Sequence, residues 1–306
     1  MSQPPSTPGM IDSGMIDSEM TDSDATASSD DGSNQPLAAA DFNDLREAKA
    51  ALQHHGLADR LVEMIGMPIT TTVEMLPDAA EGVLQSAVEK SLQQALNVAI
   101  ATMGDASAAG RPKLLTHKVL TGLAGAAGGA FGLASVAAEL PVSTVLILRS
   151  VADIARSQGE DLDSVESRLA CLEVFALDSG GGLEASRGVQ RGDGLEDASE
   201  IGYFAVRAGM AKQIAEASKY LLRNSAADLG APPLVQLISK IGSRFGVVVS
   251  QKAAAQAIPI IGAVGGALIN SFFIDHYQDL ARAHFTIRRL ERQYGPRVIQ
   301  RAYQRV

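Results

Sequence analysis

The sequence predicts an all-α fold, and three observations carry that reading. Apolar residues recur three or four apart over long stretches. No run alternates apolar and polar residues as a half-buried strand does. Prolines and glycines fall where the periodic stretches stop. The expected architecture is a multi-helix bundle of about nine to ten helices around two Gly/Ala-rich central helices, behind a disordered N-terminal tail. The chain has 306 residues, enough for a sizeable core.

Residues 1–40 hold seven acids and no Lys or Arg, and are rich in Ser, Asp and Pro. Met10, Met15 and Met20 open a five-residue Met-Ile-Asp-Ser repeat. Five is neither a helix nor a strand period. The segment buries too little apolar area to offset chain entropy, so it is expected to be a disordered acidic tail. Residues 41–306 are then a single helical domain. A start without a basic or apolar stretch carries no signal-peptide pattern.

The elements follow in order. Asp41 to about Gly66 reads as two helices broken near Gly56. Over 78–103, Leu84, Val88, Leu92, Ala95, Ala99 and Met103 form one apolar face. A loop leads to a long apolar helix over 113–139. Pro141 is placed at the start of the next helix, 141–158, closed by Gly159. Asp163 and Glu166 have the spacing of a capping box opening a helix to about Leu177. The Gly-rich stretch 178–198 has neither the pattern nor the preceding strand of a phosphate loop. Helices resume at about 197–225, 232–256, 259–294 and 296–305, punctuated by Pro232, Pro233, Pro259 and Pro296.

Two segments are built of small residues. Val119–Ala138 has no charge in 20 residues, with seven Ala and five Gly. Gly122, Gly125, Gly129 and Gly132 share one face. Each costs a helix roughly 1 kcal/mol against Ala, and close approach of a second backbone is the usual reason for such a row. Gly262 and Gly266 repeat the GxxxG spacing, so the two segments are expected to lie close together. About 30 Å of helix also matches a bilayer. A membrane hairpin, a buried helix pair and a conditional insertion therefore compete. Phe131 is the sole aromatic in 119–148, which weighs against the hairpin.

The net charge of -9 is unevenly placed: residues 281–306 hold seven Arg against Glu291. Arg282, Arg288, Arg289 and Arg292 avoid the apolar stripe Leu280, Ala283, Ile287, Leu290 and Tyr294. Arg297, Arg301 and Arg305 form a column of like charge, which needs a negative partner. Anionic lipid headgroups and the body's own acids are the two candidates. Nucleic acid is disfavoured, because no aromatic residues are interleaved for base stacking.

No catalytic constellation, metal site or cofactor motif emerges. His276 and His284 lie two turns apart on one helix with Asp275 and Asp279 near them, too far apart to share one metal unaided. Glu139 is alone in the uncharged stretch 119–148 and must be at a helix end, paired, or protonated. A cap is the simplest reading, with Arg149 or Lys118 as partners. Arg149, Asp153 and Arg156 have ion-pair spacing. The one cysteine, Cys171, reads as a buried, inert thiol and suits a reducing compartment. A hydrolase or metal enzyme would draw its groups from Glu139, Glu173, Asp275, His276 and His284.

The blocks Gly128–Ala134, Ala138–Val142, Leu148–Arg156 and Cys171–Leu177 resemble the EcsC protein family. Gly202–Arg207, Ile258–Asn270 and Phe273–Glu291 follow in the same order, covering roughly residues 70–295. The founding member's gene accompanies the ATP-binding and membrane subunits of an ABC-type transporter. The resemblance therefore implies a bacterial, non-enzymatic, cytoplasmic accessory or regulator of such a transporter or of secretion, peripheral at the inner membrane face. It supplies no catalytic residues. On this reading Arg282, Arg289, Arg292, Arg297, Arg301 and Arg305 meet membrane lipid or a membrane protein.

Overall fold

The computed structural model describes residues 37–53, 57–66, 73, 76, 78–102, 132–178, 195–224, 228–257 and 262–306. Residues 1–36 of the expected tail and Gly122, Gly125 and Gly129 lie outside these residues, whereas 37–40 are described and Ala39 already begins a helix, so the tail's boundary at residue 40 is too late. Among the described residues there are helices and turns but no strand: α1 (Ala39–Gln53), α2 (Leu57–Ile65), α3 (Asp78–Thr102), α4 (Gly132–Ser157), α5 (Val165–Glu173), α6 (Leu195–Arg223), α7 (Pro232–Gln256), α8 (Gly262–Tyr294) and α9 (Pro296–Tyr303). A short 3-10 turn, Val174–Ala176, extends α5.

The apolar stripes dictate the packing. Leu84, Val88, Leu92, Ala95 and Ala99 of α3 are all buried, and they face α4 and α7. α8 lies against α1 and α4 and carries α9 at its end. Gln251–Ala255 of α7 is buried at five consecutive positions, so that turn is enclosed on every side. Phe175, Phe245, Phe273 and Tyr277 cluster together: Phe175 meets Phe245 edge to face at 5.0 Å, Phe273 meets Tyr277 the same way, and Phe175 and Tyr277 are tilted. Removal of this apolar area from water is the main stabilising contribution.

Two local expectations are corrected, and a third falls outside the described residues. Pro141 does not begin a helix but lies inside α4, which runs unbroken from Gly132 to Ser157. A mid-helix proline costs about 3 kcal/mol. Here Val136, Leu140, Val145, Ile147, Leu148 and Val151 are buried on both sides of it, and that burial holds the two halves in line. Ser143 Oγ and Thr144 Oγ1 also donate to the Leu140 carbonyl, at 3.1 and 2.7 Å. At α5 the N-cap is Ser164, not Asp163, and no side chain caps it. The Asp163 amide instead donates to Asp161 Oδ1 at 2.9 Å in the preceding turn. The described part of α8 runs from Gly262, and the proposed start at Pro259 lies outside the described residues.

Of the glycine rows, Gly132 and Gly262 are the first described residues of α4 and α8, and these two helices pack on each other. Gly266 is half-buried, and a Cβ added there would meet no atom within 4 Å. Close approach is therefore not what places a glycine at 266. Gly242 of α7 does meet neighbours: a Cβ there would touch Leu92 and Val88 at 3.5 and 3.6 Å. Gly295 has a φ of +88°, a conformation favouring glycine, and it turns the chain from α8 into α9.

Candidate functional site

The C-terminal arginines divide into two groups. Arg282 Nη1 donates to Asp279 at 2.7 Å. Arg288 and Arg292 both reach Glu160, which is almost wholly buried between α4 and α5. Arg289 meets Asp44 of α1 at 2.5 Å. Thus the body's own acids engage all four arginines that flank the α8 stripe. Arg297, Arg301 and Arg305 are exposed, and among the described residues none of them is ion-paired. Arg301 Nε donates only to the Arg297 carbonyl, at 3.2 Å. The α9 residues Ile299 and Tyr303 are buried, which turns Arg297 and Arg301 outward; the helix ends at Tyr303, so Arg305 does not complete the helical column but is exposed in the turn after it.

Inside the bundle, α5, α6 and α8 enclose a polar network. Arg207 forks onto Glu291 through two bonds of 2.8 and 2.9 Å. Tyr203 Oη lies 3.0 Å from His284 Nδ1, while His284 Nε2 has no hydrogen-bond partner and faces Glu173 Oε2 at 3.9 Å. Burial pushes the Glu173 carboxyl up to about 7, against the pull of Arg207 and Arg288. Burial, aided by Arg207 and Arg288, holds His284 well below the usual imidazole range. For Glu160 burial works upward, but hydrogen bonds and charge from Arg288 and Arg292 outweigh it and keep the carboxyl low. Cys171, fully buried nearby, has its thiol pushed up by burial and then by Glu160, as an inert thiol should.

Glu139 is not a cap. It sits within α4 and accepts from Lys252 Nζ at 2.8 Å; the same ammonium donates to Asn270 Oδ1 at 3.0 Å and lies 4.4 Å over the Phe273 ring. Arg149 and Lys118, the partners read from the sequence, are not involved: Arg149 forms no ion pair among the described residues, and Lys118 lies outside them. Burial lowers the Lys252 ammonium below the ordinary lysine range, and Glu139 restores part of it. Lys252 is the one charged residue between Arg244 and Asp275, as Glu139 is in 119–148. Two lone charges of opposite sign in two apolar stretches were the signal for this pair.

The remaining candidates scatter. His276 Nε2 meets Asp178 at 2.8 Å, both side chains being buried. Asp153 pairs with Arg156 at 2.9 Å on the surface of α4. Asp275 is exposed and accepts a 3.4 Å bond from Ser271. Glu139, Glu173 with His284, and His276 therefore belong to three different sets of contacts. Among the described residues no three His, Cys, Asp or Glu converge as a metal site. Sequence reading missed Glu160, Asp178, Tyr203 and Lys252, whose roles come from partners far along the chain.

The described residues form an all-α bundle with an internal charge network and an outward arginine face. Residues 39–290 match the model of the EcsC protein family, and the chain belongs to that family. The match starts earlier than the blocks read by eye, taking in α1 and α2, and stops before α9. No curated protein matches the chain. No solved structure does either. Among the described residues no helix is long and apolar enough to cross a membrane.

Proposed function

We propose that this EcsC-family protein is a non-enzymatic, membrane-proximal helical protein that docks on an anionic surface through Arg297, Arg301 and Arg305. The observation that supports it is the division of the arginines: four are each engaged by an acid of the body, and these three are exposed and form no ion pair among the described residues. Arg297 and Arg301 stand about 6 Å apart along α9, and Arg305 follows in the turn beyond Tyr303. Each basic residue near an anionic bilayer contributes about 1 kcal/mol, so three amount to about a hundredfold in affinity. The exposed face of α9 carries Arg and Gln, while its apolar residues face the body, so docking is electrostatic and shallow. At the inner membrane face it serves an ABC-type transporter or a secretion apparatus as an accessory or regulator.

Flotation with vesicles rich in anionic phospholipid tests the surface. At low salt the native chain floats, and R297Q/R301Q/R305Q loses about a hundredfold in binding. Equal flotation of the two proteins, or none by the native chain, overturns the reading. A carbonate wash of native membranes is expected to release the protein, as surface attachment requires.

A further inference from the structure

A cleft of about 810 Å³ opens between α1, α2 and α8, away from the internal network. Its walls hold charges of both signs that do not neutralise each other. Arg60 of α2 and Arg282 of α8 both bind one carboxylate, Asp279, at 2.8 and 2.7 Å. Two guanidiniums on one carboxylate leave a positive charge and several unused N–H donors. Glu47 of α1 and Glu63 of α2 also line the cleft, are exposed, and pair with no base among the described residues. Glu63 stands three residues from Arg60, a spacing that permits an ion pair, yet Arg60 reaches across to Asp279 instead.

The third feature is His276. It lines this cleft although only 4% of it is exposed. Asp178, itself buried, fixes Nε2. No hydrogen bond engages Nδ1 among the described residues, so one nitrogen of an oriented imidazole is left to meet whatever fills the space.

We infer that the cleft binds a compact zwitterion joining a phosphate to an ammonium, the phosphate on Arg60 and Arg282 beside His276 and the ammonium between Glu47 and Glu63. Paired guanidiniums, with their spare forked donors, suit a phosphate with several acceptor oxygens. A simple cation leaves the arginines unsatisfied, and a simple anion leaves the glutamates so. The site stands whether or not α9 meets a membrane. The ligand's chemistry is common to a free metabolite and to a lipid headgroup.

The test uses the full chain with O-phosphoethanolamine, ethanolamine and inorganic phosphate, followed by calorimetry and by ¹⁵N spectra of the histidine rings, with H276Q identifying the signal. The zwitterion is expected to bind about tenfold more tightly than either half and to move the His276 Nδ1 signal while His284 stays still. The surface variants R282Q and E47Q/E63Q are each expected to lose about tenfold. Vesicles of phosphatidylethanolamine, competed by the free probe, show whether the headgroup is also taken from a bilayer. The inference is overturned if neither free probe nor vesicle binds in a way that depends on Arg282 and the glutamates. Equal binding of the zwitterion and its halves, or an unmoved His276, also overturns it.

Discussion

The arginines of α8 and those of α9 are neighbours in sequence and opposites in surroundings. Arg288 reaches inward to a nearly buried Glu160, whose other oxygen partners include Ser167 at 3.1 Å and Arg292. Arg297, Arg301 and Arg305 reach outward and meet no acid among the described residues. The same residue type is structural in one place and available in the other. Helix direction decides which: the turn at Gly295 rotates the polar face of α9 away from the acids that α1 and the turn between α4 and α5 present to α8.

Breaking the inner set should have the largest effect. Glu160→Ala leaves Arg288 and Arg292 without their shared carboxylate in a buried site, and a loss of about 3–5 kcal/mol in denaturant unfolding is expected. Because its native carboxyl is held low, Glu160 also lends stability at neutral pH that is lost as pH falls through that lowered value. A variant no less stable than the parent would show that the inner arginines do not depend on it.

Glu173 has the opposite sign. Its carboxyl stays protonated in the folded state up to about 7, while in the unfolded chain it ionises near its ordinary value of 4.5. Its contribution is therefore fully present below that ordinary value and is lost as pH climbs toward neutrality. Glu173→Gln keeps a neutral group there. Relative to the parent, it is expected to gain on the order of 3 kcal/mol between pH 4 and pH 8 in paired urea melts. A pH-independent difference would mean that Glu173 is ionised in the fold.

The Glu139–Lys252 pair lies between these extremes, with the lysine enclosed and the acid partly open to water. Lys252→Met should cost about 2 kcal/mol, less than the loss at Glu160, because water can still reach the stranded Glu139. Adding Glu139→Gln should recover most of that loss, a coupling that a double-mutant cycle reads directly. Simple additivity would contradict the pairing. The outer set should matter least for folding: R297Q/R301Q/R305Q is expected to change stability by under about 0.5 kcal/mol while its vesicle binding collapses. A large stability loss there would erase the contrast between α8 and α9.

Much of the architecture was legible because helices advertise themselves locally. The α3 stripe from Leu84 to Ala99, the break at Gly295, and Pro232 and Pro296 at helix starts are all short-range signals. Pro141 misled for the same reason. Its local penalty is real, and burial on either side of it outweighs that penalty. The polar sites were half legible. A lone Glu139 demanded a partner, but the partner stood 113 residues away in α7. Asp178 and His276 are 98 residues apart, and nothing in their local spacing joins them.

The sequence by itself determined that this is a helical EcsC-like chain, acidic at its start and arginine-rich at its end, with charge excluded from two small-residue stretches. These properties follow from periodicity and composition, which act within a few turns of helix. Only the tertiary structure decided which arginines are neutralised, which carboxyl stays protonated, and which histidine looks into a cleft. Desolvation and charge pairing depend on what surrounds a group in space, and helices brought together from opposite ends of the chain supply those surroundings.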